Sequence, residues 1–196
     1  MYKLCKTEQS AQRQRKIEHV LLDMMIKKNY EDISITELCE RLEIPRKTFY
    51  RYFDSKEGAL YALIEHTMSE YVGFHQDKQG KIRTLKNEIE QYYCFWYDHK
   101  YFLDAFSKNN MLEKIIEVSI SFPVNDMVSF SKFLPDDTEW VRNKIFKFAI
   151  CGLVFQMIDW YKDGFKISIS DMSEISCRML SKPLFPNLDK LGIIPN

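Results

Sequence analysis

The chain lacks the residue patterns that the common classes of enzymes and metal proteins require. Its 196 residues include 6 glycines and 4 histidines, and the sequence contains no glycine-rich phosphate loop, no GxSxG motif and no histidines at metal-ligand spacing. Asp136 and Asp137 are adjacent carboxylates, but their position at the start of an expected helix favours capping over acid–base catalysis. We therefore expect no enzyme activity, no catalytic residue, no cofactor and no metal site.

Disulfide and membrane architectures are also disfavoured by what is missing. The 5 cysteines are odd in number and far apart, and no two of them form a CxxC pair, which argues against a disulfide framework and a zinc site. The first residues lack the apolar run of a signal peptide, and the charge-free apolar run at 148–158 is too short to cross a bilayer. These features predict a cytoplasmic protein without a membrane partner.

The stretch from Ser34 to Lys56 carries the most informative pattern in the sequence. Ser34 and Glu37 have the spacing of a capping box, so a helix should begin near Ile35. Pro45 ends this helix and suits the first turn of a second one. The pattern therefore predicts two short helices joined by a tight turn. The first of them has an apolar face at helical spacing, formed by Ile35, Leu38, Cys39 and Leu42.

The second helix combines a small apolar side with a basic and aromatic surface. Phe49 and Phe53 fall on one side, and donors and flat rings occupy the rest, namely Arg46, Lys47, Thr48, Tyr50, Arg51 and Tyr52. Side chains of this kind bind phosphates and base edges in the DNA major groove. The other interpretation is a small aromatic core with a solvated basic face. The combined spacing favours DNA contact.

At these positions the sequence resembles the TetR family of one-component bacterial regulators. The family motif ends in Thr-hydrophobic-Tyr-Arg-His-Phe, followed by Ser-Lys at the start of the next helix. Here residues 48–53 read TFYRYF, and Ser55 and Lys56 follow. Tyr52 takes the place of a phosphate-contacting histidine, and Lys56 that of a phosphate-binding lysine. The resemblance implies DNA contact by Thr36, Arg46, Lys47, Thr48, Tyr50, Arg51, Tyr52 and Lys56.

Three residues around the turn depart from the family pattern. Glu43 stands where the family has a glycine, and a left-handed backbone is unfavourable for a residue with a Cβ atom, so we expect a looser or strained turn. Leu42 replaces a small residue and Pro45 replaces a serine cap, which allows a slightly different angle between the two helices. The operator sequence therefore does not carry over from relatives.

The net charge of zero hides a division along the chain. Residues 1–56 carry a net charge of +3, and residues 57–196 carry a net charge of −3. The positive excess lies where phosphates would be met, although it is modest. We expect a helix-turn-helix DNA-binding domain at 1–56 and a regulatory and dimerisation domain at 57–196.

Helices should flank the motif on both sides. An amphipathic pattern from Ile17 to Met25 predicts the third helix of the DNA-binding domain, ending near Asn29, and places basic residues at its start, namely Arg13, Arg15 and Lys16. After Lys56 the apolar period continues to about His75 and predicts a connecting helix. A break is expected within 76–80.

The remainder of the chain reads as helices, so the expected fold is all-α. Apolar faces predict a helix at 82–96, a bend at Asp98–His99, and a helix from Met111 to Phe130 with a kink at Pro123. Asp136 and Glu139 have capping-box spacing and predict a helix that stops near Gly164. A last helix is expected at about 170–180.

The last two helices are the best candidates for a dimer interface. The penultimate helix is apolar nearly all round from Ile145 to Tyr161, more than one chain can bury. The pair at about 137–163 and 170–181 therefore predicts a homodimer, as the family resemblance also implies. The order Phe148, Gly152, Trp160, Gly164 is similar to a branch that includes a coactivator of dihydroxyacetone utilisation.

An unidentified small-molecule effector is expected in the C-terminal domain, because the resemblance implies a pocket there. Aromatic stripes at helical spacing are core residues in most proteins, and that interpretation stands beside the pocket. A pocket with flat, apolar walls would be fixed by a polar group such as Tyr93 or Gln156. The candidate lining residues are Tyr93, Trp96, Phe102, Phe106, Phe122, Phe155 and Gln156.

The sequence as a whole predicts a homodimeric one-component transcriptional regulator that binds a pseudo-palindromic operator. Repression is the default outcome, relieved when a small molecule binds the C-terminal domain. The alternative is a coactivator or protein-interaction dimer that keeps the fold without sequence-specific DNA binding, and Glu43 is the feature that favours it.

Overall fold

The computed structural model describes residues 2–3, 5, 7–76, 84–121 and 132–182, and at 72–76 it describes the backbone alone. The chain is helical through most of these ranges, which confirms the all-α fold class. An isolated bridge pairs Tyr2 with Phe53. Two compact units emerge, one formed by 1–78 with 99–122 and the other by 79–98 with 123–196.

The first unit begins with helix α1, which spans Glu8–Lys27. It starts earlier than its apolar pattern indicated, because the Thr7 side chain caps it by accepting a hydrogen bond from the Ser10 backbone N–H at 3.3 Å. The prediction that Arg13, Arg15 and Lys16 lie at the helix start is therefore wrong. They lie inside α1, where the macrodipole does not oppose them.

The helix-turn-helix follows a 3₁₀ turn at Tyr30–Asp32 and consists of α2, Ile35–Arg41, and α3, Arg46–Tyr52. The Ser34 side chain caps α2 as expected by accepting from the Glu37 N–H at 3.1 Å. The reciprocal half of the capping box is wrong, because the Glu37 carboxylate is paired with Lys28 Nζ instead.

The core of the first unit is built from large apolar side chains of α1 to α4. Helix α4 spans Lys56–Gln76, in agreement with the predicted connecting helix, and α6 at Lys100–Lys108 and α7 at Glu113–Ser121 complete the unit. Each fully buried large side chain contributes roughly 1.5–3 kcal/mol relative to exposure. The fully buried residues include Leu21, Met25, Leu38, Phe49, Phe53, Leu60 and Ile64.

The second unit contains α5 at Leu85–Asp98, α8 at Glu139–Lys162 and α9 at Ile169–Ser181. The bend after α5 is observed where it was predicted. Gly164 has φ +73° and ends α8, also as predicted. Of the break expected within 76–80, only Gln76 is described, as the last residue of α4; residues 77–80 and the predicted kink at Pro123 lie outside the described residues.

The start of α8 corrects a second capping prediction. Thr138, not Asp136, is the N-cap residue, and its side chain accepts from the Val141 N–H at 3.5 Å. The Asp137 carboxylate accepts from the Thr138 N–H at 2.6 Å. Three adjacent residues that all favour caps compete here, and the chain uses the last of them.

Candidate nucleic-acid interface

Helix α3 presents the basic and aromatic surface that the sequence predicted. Phe49 and Phe53 are both fully buried and hold the helix on the rest of the unit. On the outer side Arg46, Lys47 and Arg51 are exposed, and the Tyr50 side chain is 40% exposed. A short helix anchored by two phenylalanines therefore offers its donors and one ring to solvent.

Arg46 and Tyr50 form an ordered pair one helical turn apart. The Arg46 guanidinium donates to the Tyr50 hydroxyl at 3.3 Å and lies 5.9 Å from the centroid of its ring. This arrangement restricts two long side chains before any ligand binds, which lowers the entropy that binding must overcome. A guanidinium held in this way is suited to guanine edges or a phosphate.

The turn between α2 and α3 keeps the geometry of a glycine turn although residue 43 is a glutamate. Glu43 has φ +54°, the left-handed region. Its N–H donates to the Glu40 carbonyl at 3.0 Å and the Ile44 N–H donates to the Cys39 carbonyl at 3.0 Å, which is a Schellman motif. The turn is strained and not loosened, at a cost of roughly 1–2 kcal/mol.

Tyr52 lies inside the domain and not on its surface. The side chain is 3% exposed, and its hydroxyl accepts from the Arg51 guanidinium at 3.2 Å. Burial acts to raise the pKa of Tyr52, but its hydrogen bond with Ser10 and the nearby Arg51 and Arg13 lower the pKa overall. A direct DNA contact by Tyr52 stays a prediction.

Lys56 is engaged within its own domain. Its Nζ donates to the backbone carbonyls of Tyr30 at 2.6 Å, Ile33 at 2.9 Å and Glu31 at 3.4 Å, and it lies 4.1 Å from the centroid of the Tyr30 ring. Desolvation lowers its pKa from the ordinary value. A lysine has three N–H donors, and these contacts use them, so the expected phosphate contact stays a prediction. Thr36, by contrast, is exposed at the start of α2.

The aromatic residues proposed for an effector pocket are divided between the two units. Phe102 and Phe106 stack in the first unit with ring centroids 4.3 Å apart, whereas Tyr93, Trp96, Phe155 and Gln156 belong to the second. Phe122 lies outside the described residues. Tyr93 and Trp96 are buried side chains, which fits the core interpretation for both.

Tyr93 closes a small polar network inside the second unit. Its hydroxyl lies 2.7 Å from the Ser176 Oγ, and the Gln156 Oε1 lies 3.2 Å from the Tyr93 hydroxyl and 2.6 Å from the Ser176 Oγ. Burial raises the pKa of Tyr93 to about 12, an effect that the Ser176 hydrogen bond opposes. The network ties α5, α8 and α9 together, and the polar groups proposed to fix an effector satisfy each other.

Helix α8 has an exposed apolar face. Phe148 is 72% exposed and Phe155 is 62% exposed, and both share a side of the helix with Ile145 and Gly152. A Cβ atom at Gly152 would meet nothing within 4 Å. An apolar groove of about 170 Å³ adjoins this face, and its lining includes Phe133, Ile145, Phe148 and Met179.

The described ranges contain neither a cluster of metal ligands nor a membrane-spanning helix. No group of three potential metal ligands among cysteine, histidine, aspartate and glutamate occurs in this part of the chain. None of the helices described above is long and apolar enough to cross a bilayer.

Comparison with known proteins supports the helix-turn-helix assignment. Residues 19–63 match the family of bacterial regulatory proteins, tetR family. No curated protein matches the sequence. The match covers α2 and α3 and the ends of the helices on either side of them.

Solved structures show the same fold over most of the chain. The fatty acid degradation regulator FadR from Bacillus halodurans is similar with a TM-score of 0.59 at 9% identity, covering 92% of this chain and 98% of that one. The dihydroxyacetone kinase operon activator DhaS gives a TM-score of 0.55 at 16% identity, covering 93% and 98%. A tetR-family regulator from Streptomyces coelicolor gives 0.53 at 14% identity, covering 87% and 79%. The resemblance predicted from residues 48–56 is therefore confirmed: the helix-turn-helix is that of the tetR family, and the fold is that of TetR-family transcriptional regulators.

Proposed function

We propose that this protein is a homodimeric one-component regulator that binds a pseudo-palindromic operator in the cytoplasm and represses by default. The observation that carries the proposal is α3, a helix anchored by Phe49 and Phe53 that exposes Arg46, Lys47 and Tyr50 together. A short helix with this distribution enters a major groove, where donors meet base edges and phosphates.

The proposed reading surface has two parts with different tasks. Arg46, Lys47 and Tyr50 are exposed and are assigned to base edges and neighbouring phosphates. Thr36, Thr48 and Arg51 are assigned to the backbone, which positions the helix without reading sequence. Tyr52 and Lys56 support this surface from within, through the Arg51 hydrogen bond and the 3₁₀-turn carbonyls.

Dimerisation is proposed through α8 and α9. Two exposed phenylalanines on one side of α8 are costly in a monomer, and an exposed apolar face of this kind marks an interaction site. Gly152 between them allows a second helix to approach closely. Exposed Ile175 and Met179 extend the apolar surface onto α9. A homodimer joined through this face would carry two copies of α3, and dimers of this kind bind half-sites about one helical turn of DNA, roughly 34 Å, apart.

The proposed effector is apolar. The groove beside α8 is lined mainly by aliphatic and aromatic side chains, and the FadR of Bacillus subtilis, similar in fold with a TM-score of 0.50 at 12% identity over 85% of this chain and 96% of that one, was solved in complex with stearoyl-CoA. An apolar molecule in this groove would release DNA only if it binds more tightly to the state with the wrong half-site spacing.

The coactivator alternative loses the feature that favoured it. Glu43 suggested a damaged helix-turn-helix, yet its backbone adopts the left-handed conformation and the hydrogen bonds of the glycine turn. The similarity to DhaS is one of fold, at 16% identity, and does not select between the two functions. We therefore retain the DNA-binding regulator.

The decisive experiment is selection of genomic fragments with the purified protein, followed by fluorescence anisotropy on the recovered sequence at two salt concentrations. We expect a pseudo-palindrome bound by a dimer, with affinity that falls as salt rises. Binding without sequence preference would contradict the proposal and return the search to protein partners.

A double variant assigns the binding to α3. Lys47→Ala with Tyr50→Ala should reduce operator affinity by at least about 100-fold, since base contacts are worth roughly 1–3 kcal/mol each. Lys162→Ala with Lys166→Ala removes two exposed lysines of the second unit and serves as the control. Lys56 is not used because its loss would disturb the fold.

A further inference from the structure

The three basic residues near the middle of α1 have different surroundings. Arg15 is an ion-pair residue: its guanidinium lies 3.6 Å from a Glu18 carboxylate oxygen and 3.5 Å from one of Glu70. Arg13 and Lys16 form no ion pair with a carboxylate among the described residues. Within one helix, one cation is used for packing α1 on α4 and two remain uncompensated.

The two uncompensated cations share one groove with α3. This groove has a volume of about 320 Å³ and is open along one side. Arg13 and Lys16 line it from α1, and Thr48 and Arg51 line it from α3. Its apolar floor is formed by Ile17, Leu42 and Ile44. Three cations and two hydroxyl-bearing residues, Thr48 and Tyr52, therefore line the groove. None of the three cations has a carboxylate partner among the described residues.

The groove is continuous with the proposed reading surface because Thr48 and Arg51 belong to both. A guanidinium forms paired hydrogen bonds with phosphate oxygens, and an ammonium adds a point charge. The apolar floor strengthens these charges by excluding water and matches the apolar faces of deoxyribose. The lowered pKa of Tyr52, despite its burial, fits a positive potential in this place.

We propose that Arg13 and Lys16 of α1 form, together with Thr48 and Arg51 of α3, a binding site for the phosphodiester backbone of duplex DNA. The site rests on the proposed function and extends it: each protomer holds the backbone with α1 in addition to α3. It contributes affinity and orientation and carries no base specificity. In the sequence of α1 alone, Arg13 and Lys16 cannot be distinguished from Arg15.

The test compares wild type with Arg13→Gln/Lys16→Gln by anisotropy on the selected operator over a salt series. For B-DNA the slope of log K against log salt changes by about 0.9 for each phosphate contact. Removing two cations from each of two protomers should make the slope shallower by about 3 to 4. Affinity should fall on the order of 100-fold, by the same factor on the operator and on a mismatched duplex.

Lys27→Gln/Arg41→Gln is the matched control. It removes the same charge from exposed positions of α1 and α2 that do not line the groove. We expect its slope to change far less. An equal change of slope in the control would show that the slope reflects the total charge of the protein, and it would overturn the site. Thermal unfolding by circular dichroism should be unchanged in both variants, since none of these four residues is buried.

The result separates this site from the function it rests on. If wild type binds the operator and the Arg13/Lys16 variant keeps the same slope, the α1 site is wrong and the regulator stands. If wild type selects no operator, the proposed function fails, and the slope on a non-specific duplex still decides the α1 site. Ethylation interference should show phosphates that matter to wild type and not to the variant; their absence contradicts the site.

Discussion

Helices α3 and α8 expose opposite kinds of side chain. In α3 the phenylalanines face inward and the cations face solvent, whereas α8 leaves Phe148 and Phe155 exposed. A surface of uncompensated cations is complementary to a polyanion, and an apolar face is complementary to another apolar face. Under the proposed function, nucleic-acid binding and self-association would therefore fall on separate stretches of the chain.

The two surfaces should also respond differently to salt. Phosphate contacts weaken as ions compete for the duplex, while apolar association is maintained or strengthened by many salts. Raising salt should therefore remove DNA before it separates the protomers. Variants of the two surfaces therefore have distinct readouts.

The largest effect is expected from placing charges on the α8 face. Phe148→Glu with Phe155→Glu would bury carboxylates against each other across a two-fold axis, and we expect association to weaken on the order of 1,000-fold, about 4 kcal/mol. Sedimentation velocity should show a monomer with unchanged helical circular dichroism. Lys147→Glu, on another side of α8, is the control. A dimer that survives in the double variant would place the interface elsewhere.

A buried carboxylate and an exposed one should differ in what they contribute to stability. Glu18 is 1% exposed, and both its carboxylate oxygens lie 2.9 Å from His66 Nδ1. Glu18→Ala leaves His66 and Arg15 without this partner and should lower the free energy of unfolding by about 3 kcal/mol. The Lys86–Glu174 pair is exposed, so Glu174→Ala should leave the unfolding midpoint where it was. If Glu18→Ala and Glu174→Ala destabilised the protein equally, burial would not be what distinguishes the two carboxylates.

Two lysines of the first unit, Lys56 and Lys47, differ in that Lys56 is bound by backbone carbonyls and Lys47 is exposed. Lys56→Met removes the donor to the carbonyls of Tyr30 and Ile33 and should destabilise the unit by about 2 kcal/mol. Lys47→Met changes an exposed residue of α3 and should leave the thermal midpoint unchanged. Chemical denaturation of both variants measures the difference. A stable Lys56→Met that fails to bind DNA would favour the phosphate contact that the family pattern implies.

The smallest effect is a gain in stability at the turn. Glu43→Gly relieves a left-handed conformation at a residue with a Cβ atom and should raise the free energy of unfolding by about 1 kcal/mol. Operator affinity should be unchanged, because the turn already has the glycine geometry. Glu40→Gly, inside α2, is the opposite control and should destabilise. Loss of stability in Glu43→Gly would mean that the glutamate side chain is itself stabilising.

Local hydrogen-bonding rules explain what the sequence predicted well. The Ser34 cap, the second helix after Pro45 and the stop at Gly164 each depend on a few neighbouring backbone groups, and all are observed. The start of α8 was missed within the same rules, because Asp136, Asp137 and Thr138 are competing caps and only three-dimensional context selects one.

The sequence could not predict the roles of residues whose partners lie far away along the chain. Lys56 is bound by a turn that lies more than twenty residues earlier, and Arg15 differs from Arg13 through its contacts with Glu18, Glu70 and the His66 carbonyl. The candidate effector pocket stays a prediction, because aromatic spacing shows which residues share a helix face and not which faces meet. Phe102 and Tyr93 have similar sequence surroundings and belong to different compact units.

The polar network of Tyr93, Ser176 and Gln156 has a mechanical consequence. Gln156 and Phe155 are consecutive residues of α8, and a helix turns as one body with a fixed angle of 100° between neighbours. A molecule that separated Gln156 from Tyr93 by turning α8 about its axis would rotate Phe155 on the outer face by the same angle. The inner face of α8 is held by α5 and α9 through this network, and Phe155 lies on the outer face, where two copies would meet.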